Sequence, residues 1–254
     1  MRQLLLRRFL LAIPTLIAVS IASFLLVHLV PGDPVDFMLG ESALPQAKAA
    51  LRTELHLDAP LPSQYALFVR DLASGELKSL HTHEAVLPTL ARKFAWTFVL
   101  AVAAMLVATV IAIPLGAISA VRAGTFVDHA SMTFALGGVS MPTFWLGPLL
   151  ILLFAIELNW LPVSGARTPA SVVLPAITLG SAMSAILVRM TRATMLETLP
   201  LEYVTAARAR GLSETQVVIR HALRNALVPV VTLLGLQFGA LLSGSIITEE
   251  VFGW

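Results

Sequence analysis

Long uncharged apolar stretches alternate with polar segments along this chain of 254 residues. Each stretch is long enough to cross a hydrocarbon core, which takes about 20 helical residues. The stretches lack the period-two alternation typical of a membrane barrel, and a continuous helix satisfies its own backbone groups in lipid. The pattern therefore predicts an all-α, polytopic membrane helical bundle with five spans, at Phe9–Val30, Phe94–Val121, Ala130–Ile156, Thr168–Val188 and Asn225–Thr248.

Composition agrees with that prediction, since 57% of the residues are hydrophobic, 13% are charged and the mean hydropathy is +0.85. Soluble domains carry about 25% charged residues. There is no cysteine, which excludes disulfide and cysteine–zinc chemistry. The basic start and apolar run at the N-terminus would also suit a signal peptide. Phe9–Val30 has 22 residues, however, whereas such a core has about 7–15, so a retained helix is favoured.

The distribution of charge predicts the orientation of the spans. With the N-terminus inside, the segments 1–8, 122–129 and 189–224 are cytoplasmic and hold ten Lys and Arg against four acids, whereas the outer segments hold seven against eleven. This bias agrees with the positive-inside rule. We therefore expect a membrane protein with a cytoplasmic N-terminus, whose basic charge indicates topology rather than nucleic-acid binding.

The division of the chain follows from the same pattern. Residues 1–30 are the cytoplasmic start and first span, 31–93 an extracytoplasmic segment, and 94–254 the core transmembrane domain. In the outer segment, Pro45 suits the start of one helix, and Gly75 the end of another that starts near Pro62. A small helical cap is predicted there, with a loosely ordered loop as the alternative.

The coupling segment, residues 197–225, is the polar stretch most informative about function. Pro200 suits the first turn of a short helix and Gly211 the position just past its end. Ala206 and Ala207 leave a shallow surface on which another protein could close. Ser213 and a glutamine three residues later form a capping-box pattern that begins a second helix, continuous with the last span. Such a helix pair would act as a lever moved by a docked partner.

The same residues carry a resemblance to a known family. The pattern Ala206-Ala207-x-x-x-Gly211 resembles the "EAA" loop of permease subunits in ATP-binding-cassette (ABC) importers, with Thr205 where the motif has Glu. The strings EYVTAARARGL and HALRNALVPV are similar to the peptide/nickel subfamily, in its "B"-type permease. Further similar motifs are Val30-Pro31-Gly32-Asp33-Pro34, Gly75-Glu76-Leu77…Ser79, and Leu57-Asp58-x-Pro60-Leu61-x-x-Gln64-Tyr65 with His56 in place of a usual Gly.

The resemblance implies a type I ABC importer permease fold in the bacterial inner membrane, working by alternating access, with a sixth helix expected beyond Trp254. It implies a second permease subunit, two cytoplasmic ATPases that bind ATP and Mg, an extracytoplasmic substrate-binding protein, membrane lipid around the spans, and no cofactor in this chain. Di- or oligopeptides are the expected cargo, with glutathione and nickel chelates as alternatives. The residues expected to couple to the ATPase are Glu202, Tyr203, Thr205, Ala206, Ala207, Arg208, Gly211 and Leu212.

The residues argue against two other functions. An ion-coupled carrier usually keeps an ionisable group within the membrane, and the apolar stretches offer only His28, near a span end. An intramembrane enzyme would need a motif such as HExxH or paired carboxylates, which the stretches lack. His81 and His83 are weak evidence for a metal site. Arg189 and Arg192 are interpreted as anchors at the membrane interface.

Overall fold

The structure, a computed structural model, describes residues 2–29, 32–40, 42–79, 82, 84–166 and 168–254. His81 and His83 lie outside the described residues, as do the first two residues of the Val30-Pro31 motif. The described chain is helical without a strand; Lys78 and Ala85 form an isolated antiparallel bridge. Two compact units divide at residues 91 and 92.

The first unit contains four helices whose ends follow from local sequence. Pro45 occupies a first-turn position, as predicted, and Gly75 ends the fourth helix in a left-handed conformation at φ +79°. Asp33 caps the second helix by accepting a hydrogen bond from the Val35 N–H at 3.0 Å. That bond and the Arg52 guanidinium hold the pKa of Asp33 below its ordinary value. The helices are α1 (Arg2–Leu29), α2 (Pro34–Leu39), α3 (Pro45–Glu54) and α4 (Leu61–Ser74).

Polar and aromatic contacts join α1 to α4. The Ser20 and Tyr65 hydroxyls lie 2.7 Å apart, and the Phe24 ring packs edge-on to Tyr65 with centroids 5.4 Å apart. The His28 ring nitrogens lie 2.9 Å from the Phe24 carbonyl oxygen and 3.0 Å from Gln64 Oε1. His28 thus joins the two helices, which is a structural use of the lone ionisable group in the apolar stretches.

The loop before α4 explains an unusual residue of the outer motif. Gln64 Nε2 donates to the carbonyl oxygens of Leu57 at 3.1 Å and Ala59 at 2.8 Å, which fixes the loop. His56 has φ +55°, in the left-handed region that favours glycine. The glycine that the subfamily usually has at this position therefore suits the backbone better than the histidine present here.

The second unit contains the helices that follow. Within the residues that the structure describes, four helices, α1 among them, are long and apolar enough to cross a membrane, or five if one bent pair counts as a span. The prediction of an all-α polytopic membrane bundle is confirmed. The helices are α5 (Val86–Val121), α6 (Phe126–Ser140), α7 (Thr143–Leu150) with a π-helical continuation (Ile151–Glu157), a 3₁₀ turn (Pro169–Val172), α8 (Val173–Thr198), α9 (Glu202–Ala209), α10 (Glu214–Gln216) with a π-helical continuation (Val217–Leu223), α11 (Arg224–Leu242) and α12 (Ile246–Val251).

The third predicted span is the bent pair. Its two halves, α6 and the helix starting at Thr143, meet at an angle of 94°. Met141 is extended at φ −87° and ψ 116°, because the residue before a proline is disfavoured in the helical region, and Pro142 follows it. The uncharged stretch predicted the length of this element but not its break.

Helix α8 is the centre of the second unit and contacts α6, α7 and α11. Small residues of α5 recur every fourth position and are buried: Ala104, Ala108, Ala112, Gly116 and Ala120. At Gly116 an added Cβ would lie 2.5 Å from Thr191 Cβ, and at Gly180 it would lie 2.7 Å from the Ala104 carbonyl oxygen. Close approach of the α5 and α8 backbones therefore requires these glycines, as in other membrane helix pairs.

The last apolar stretch ends earlier than predicted. Helix α11 stops at Leu242, and Gly244 with φ +103° turns the chain into α12. Phe252, which is 2% exposed, packs with Ala155 and Leu174. The C-terminal motif thus packs against α7 and α8 within its own unit.

Candidate functional site

The coupling segment forms a short helix followed by a left-handed turn. Helix α9 has Leu201 as its N-cap, so Pro200 precedes the cap and does not lie in the first turn as predicted. Gly211 has φ +80°, and an added Cβ there would meet no atom within 4 Å. The requirement for glycine at this position is therefore conformational and does not come from close packing.

One face of α9 is buried against the rest of the unit. Val204 is 0% and Ala207 5% exposed, and both pack in a cluster whose other buried members are Ala120, Met195, Val217, Ala222 and Ala226. The expectation that Ala206 and Ala207 together form the outer surface is therefore wrong for Ala207. The Ala207 methyl group packs α9 against α8 and against the π-helical segment that follows α10.

The opposite face of α9 is exposed. We call Glu202, Thr205, Ala206 and Ala209 the coupling face; their spacing of three, four and seven positions places them on one side of the helix. Leu201 at its start is 48% exposed, and Leu212 past its end is 38% exposed. The face thus combines small residues with flanking apolar side chains.

Polar contacts hold α9 to the next helix. Arg208 donates to Glu214 through Nε at 3.1 Å and Nη2 at 2.7 Å, and Nη1 reaches the Leu199 carbonyl oxygen at 3.4 Å. The Tyr203 hydroxyl accepts from Asn225 Nδ2 at 2.7 Å. Arg208 and Tyr203, both predicted coupling residues, therefore fix the position of α9. Asn225 was missed because its partner lies 22 residues away in sequence.

The second helix begins where predicted but not by the predicted cap. Ser213 is the N-cap of α10, yet its side chain makes no capping hydrogen bond, so the capping-box interpretation is wrong. After three residues the backbone becomes π-helical over Val217–Leu223 and then continues as α11. A π segment is a wider turn that often occurs at functional sites. The predicted continuity between the coupling segment and the last span is present.

The two arginines before the coupling segment differ from each other. Arg189 is exposed on α8, as an interfacial anchor would be. Arg192 lies six residues before α8 ends at Thr198. It forms an ion pair with Asp128 at 2.7 Å, and the Asp128 side chain is 2% exposed. An interfacial anchor is therefore an incomplete description of Arg192. The partner could not be found from sequence spacing, since 64 residues separate the two.

Two family models match the chain. A model of the binding-protein-dependent transport system inner membrane component matches residues 112–254, and a model of the N-terminal part of such membrane components matches residues 1–101. The glutathione transport system permease protein GsiC of Pectobacterium atrosepticum is 43% identical over 249 residues, which cover 98% of this chain and 81% of that protein. GsiC of Escherichia coli K12 has the same identity and coverage, and that of Shigella flexneri is 42% identical over the same shares.

The matches cover the elements on which the resemblance depended. The N-terminal model extends through α4 into α5, and the inner membrane component model contains the whole coupling segment. Neither an ion-coupled carrier nor an intramembrane enzyme accounts for them. The chain therefore belongs to the family of binding-protein-dependent transport system inner membrane components, and it is a multi-pass permease subunit of an ABC importer.

Proposed function

We propose that the coupling face of α9 is the docking surface for a cytoplasmic ATPase subunit. The assembled importer would hold two unlike permease subunits, two ATPases and an extracytoplasmic binding protein. The observation that carries this proposal is the division of α9 between a fixed inner face and a free outer face. Val204 and Ala207 are buried, while Thr205 and Ala206 between them are exposed.

This division gives the partner a surface that can transmit displacement. The outer face carries one charge, Glu202, and is otherwise small and neutral at Thr205, Ala206 and Ala209. A groove of another protein can close on such a helix at little cost in side-chain ordering. Because Val204 and Ala207 pack in one cluster with Val217 and Ala222, and Arg208 pairs with Glu214, a displacement of α9 reaches α10 and the helix continuous with it.

Energy for the transport cycle comes from the partner in this proposal. The sequence contains no GxxxxGK[ST] phosphate loop. ATP and Mg are then bound by the ATPase subunits, and this chain supplies no catalytic residue and no cofactor. ATP-driven closure would favour one of two permease arrangements by its differential binding free energy, which is what a population shift requires. The cargo path would alternate between the two sides as that balance changes.

A docking test follows from one exposed alanine and a matched control. Ala206→Trp places a large side chain on the coupling face, whereas Ala123→Trp places it on another exposed site that is predicted to be cytoplasmic. We expect the ATPase to co-purify with the wild-type subunit and with Ala123→Trp but not with Ala206→Trp. Normal ATPase recovery with Ala206→Trp would contradict the proposal.

For the cargo we propose small peptides, including glutathione, which is itself a tripeptide. The support is the identity of 43% to permeases named for glutathione transport, together with the peptide/nickel subfamily pattern of the coupling segment. The test is ATP-dependent uptake into proteoliposomes holding the complete importer, with radiolabelled glutathione, a dipeptide and a nickel chelate offered separately. Uptake of the nickel chelate alone would contradict the peptide assignment.

A further inference from the structure

A buried carboxylate joins three helices at the predicted cytoplasmic end of the second unit. Asp128, on α6, is 1% exposed. Its Oδ1 accepts from Arg192 Nε on α8 at 2.7 Å and from the Ser119 hydroxyl on α5. Its Oδ2 accepts from Arg192 Nη2 at 2.7 Å and from the Gly124 N–H at 2.9 Å. One side chain therefore fixes α6, α8, the end of α5 and the turn that follows it.

This hydrogen-bond network adjoins the buried cluster against which α9 packs. Ala120 follows Ser119 in α5, and Met195 lies one helical turn beyond Arg192 in α8. Both are buried in the cluster that also contains Val204 and Ala207 of α9. Ala120 and Met195, two of the residues that pack against α9, therefore lie on the same two helices as Ser119 and Arg192, which bind Asp128.

We propose that Asp128 and Arg192 form a positioning pair that makes the inner ends of α5, α6 and α8 move together with α9. This inference rests on the proposed docking of an ATPase at the coupling face. Without the pair, displacement of α9 would be taken up by sliding between helices, and ATP hydrolysis would continue with less cargo moved. The two residues thus set how much cargo is moved for each ATP hydrolysed, and neither residue contacts ATP or cargo.

The geometry of the pair supports a positioning role beyond neutralising a charge. Two parallel bonds from the planar guanidinium to both carboxylate oxygens fix the relative orientation of α6 and α8. A lysine would supply the charge as a single point and would not fix that orientation. Apolar contacts in the adjoining cluster have no such directional requirement. The charge and the orientation can therefore be separated by substitution.

The test measures ATP hydrolysis and cargo uptake in the same proteoliposomes, with the complete importer and glutathione as cargo. The variants are Asp128→Asn, which has nearly the same shape, and Arg192→Lys, which keeps the charge. Arg189→Lys is the matched control, on the same helix and exposed. We expect the uptake per ATP to fall about tenfold in both pair variants, within the 5–150-fold range typical of coupling between sites. The control should match the wild type.

Each outcome decides the proposal. If Arg192→Lys moves as much cargo per ATP as the wild type, only the charge matters and the positioning role is wrong. If Asp128→Asn fails to assemble, the ratio measured for Arg192→Lys decides alone. If neither assembles while Arg189→Lys does, the pair serves folding and the inference is overturned. Loss of ATPase binding by the wild-type subunit would instead overturn the docking proposal, so the two failures are distinguishable.

Discussion

Helices α1 and α8 are both long and apolar, yet the protein buries them very differently. None of the residues in the most apolar stretch of α1 is buried, whereas 61% of the residues in the most apolar stretch of the helix that ends at Thr198 are buried. The exposed side chains of α1 are mainly large, for example Phe9 and Leu16. The buried residues of α8 combine glycine, alanine, serine and threonine with larger apolar residues such as Leu187. Hydropathy therefore identifies both spans, but it does not distinguish the one that is buried within its own unit from the one that is mostly exposed.

Threonine and serine allow α8 to be buried without an energetic penalty for their hydroxyls. Thr178 and Thr191 donate to the carbonyl oxygens four residues earlier, at 2.9 Å and 2.7 Å. A hydroxyl bonded to its own helix needs no partner from lipid or from another helix. The helix thus gains small contact surfaces while its polar groups stay satisfied.

The largest difference between the two helices is expected for removal of a leucine side chain. Leu187 of α8 is 0% exposed and Leu16 of α1 is 68% exposed. Leu187→Ala should lower the free energy of unfolding by about 2–5 kcal/mol, because it leaves a cavity, whereas Leu16→Ala should change it by about 0.5 kcal/mol or less. Denaturation of the subunit in detergent measures both. Equal losses would contradict the distinction between a buried position in α8 and an exposed position in α1.

A smaller difference is expected for adding one methyl group. Gly116→Ala would place a Cβ 2.5 Å from Thr191 Cβ, whereas at Gly235 nothing lies within 4 Å. Overpacking should cost about 1–3 kcal/mol at the first position, and Gly235→Ala should be neutral or slightly stabilising. Thermal aggregation of the detergent-solubilised subunit compares them. A stable Gly116→Ala protein would show that α5 and α8 do not need this close approach.

The smallest effects concern two left-handed residues, one in each unit. Gly211→Ala forces a side chain into φ +80°, which should cost about 1–2 kcal/mol and reduce uptake by unseating the end of α9. His56→Gly relieves the same kind of strain at φ +55°, so the outer loop should resist protease as well as or better than the wild type. Limited proteolysis in proteoliposomes measures the protease resistance of the outer loop in His56→Gly. Uptake by Gly211→Ala at the wild-type rate would contradict the expectation for Gly211.

Local sequence was sufficient for features that depend on a few neighbouring residues. The positions of Gly75 and Gly211 just past helix ends follow from the freedom of glycine to adopt a positive φ, and the position of Pro45 at a helix start follows from its fixed φ; all three were predicted. The spans followed from the length of the apolar stretches. Such features need no knowledge of what lies across the bundle.

Features that depend on distant residues were not available from sequence. The inward orientation of Ala207 is set by Met195 and Val217 around it, and the role of Arg192 by Asp128 on another helix. For Ala207 and Arg192, packing across the bundle therefore overrides the local pattern. Ser213 does not form the expected capping hydrogen bond, and the helix that it begins becomes π-helical after three residues.

The most direct test of the account is site-specific photocrosslinking in the assembled importer. Benzoylphenylalanine would be placed at Thr205 on the coupling face, and at Leu61, an exposed residue of α4 that is predicted to lie outside the membrane. The account predicts an adduct with the ATPase from position 205, with a yield that changes when ATP is added, and none from position 61. An ATPase adduct from position 61, or its absence from position 205 in an importer that transports normally, would contradict it.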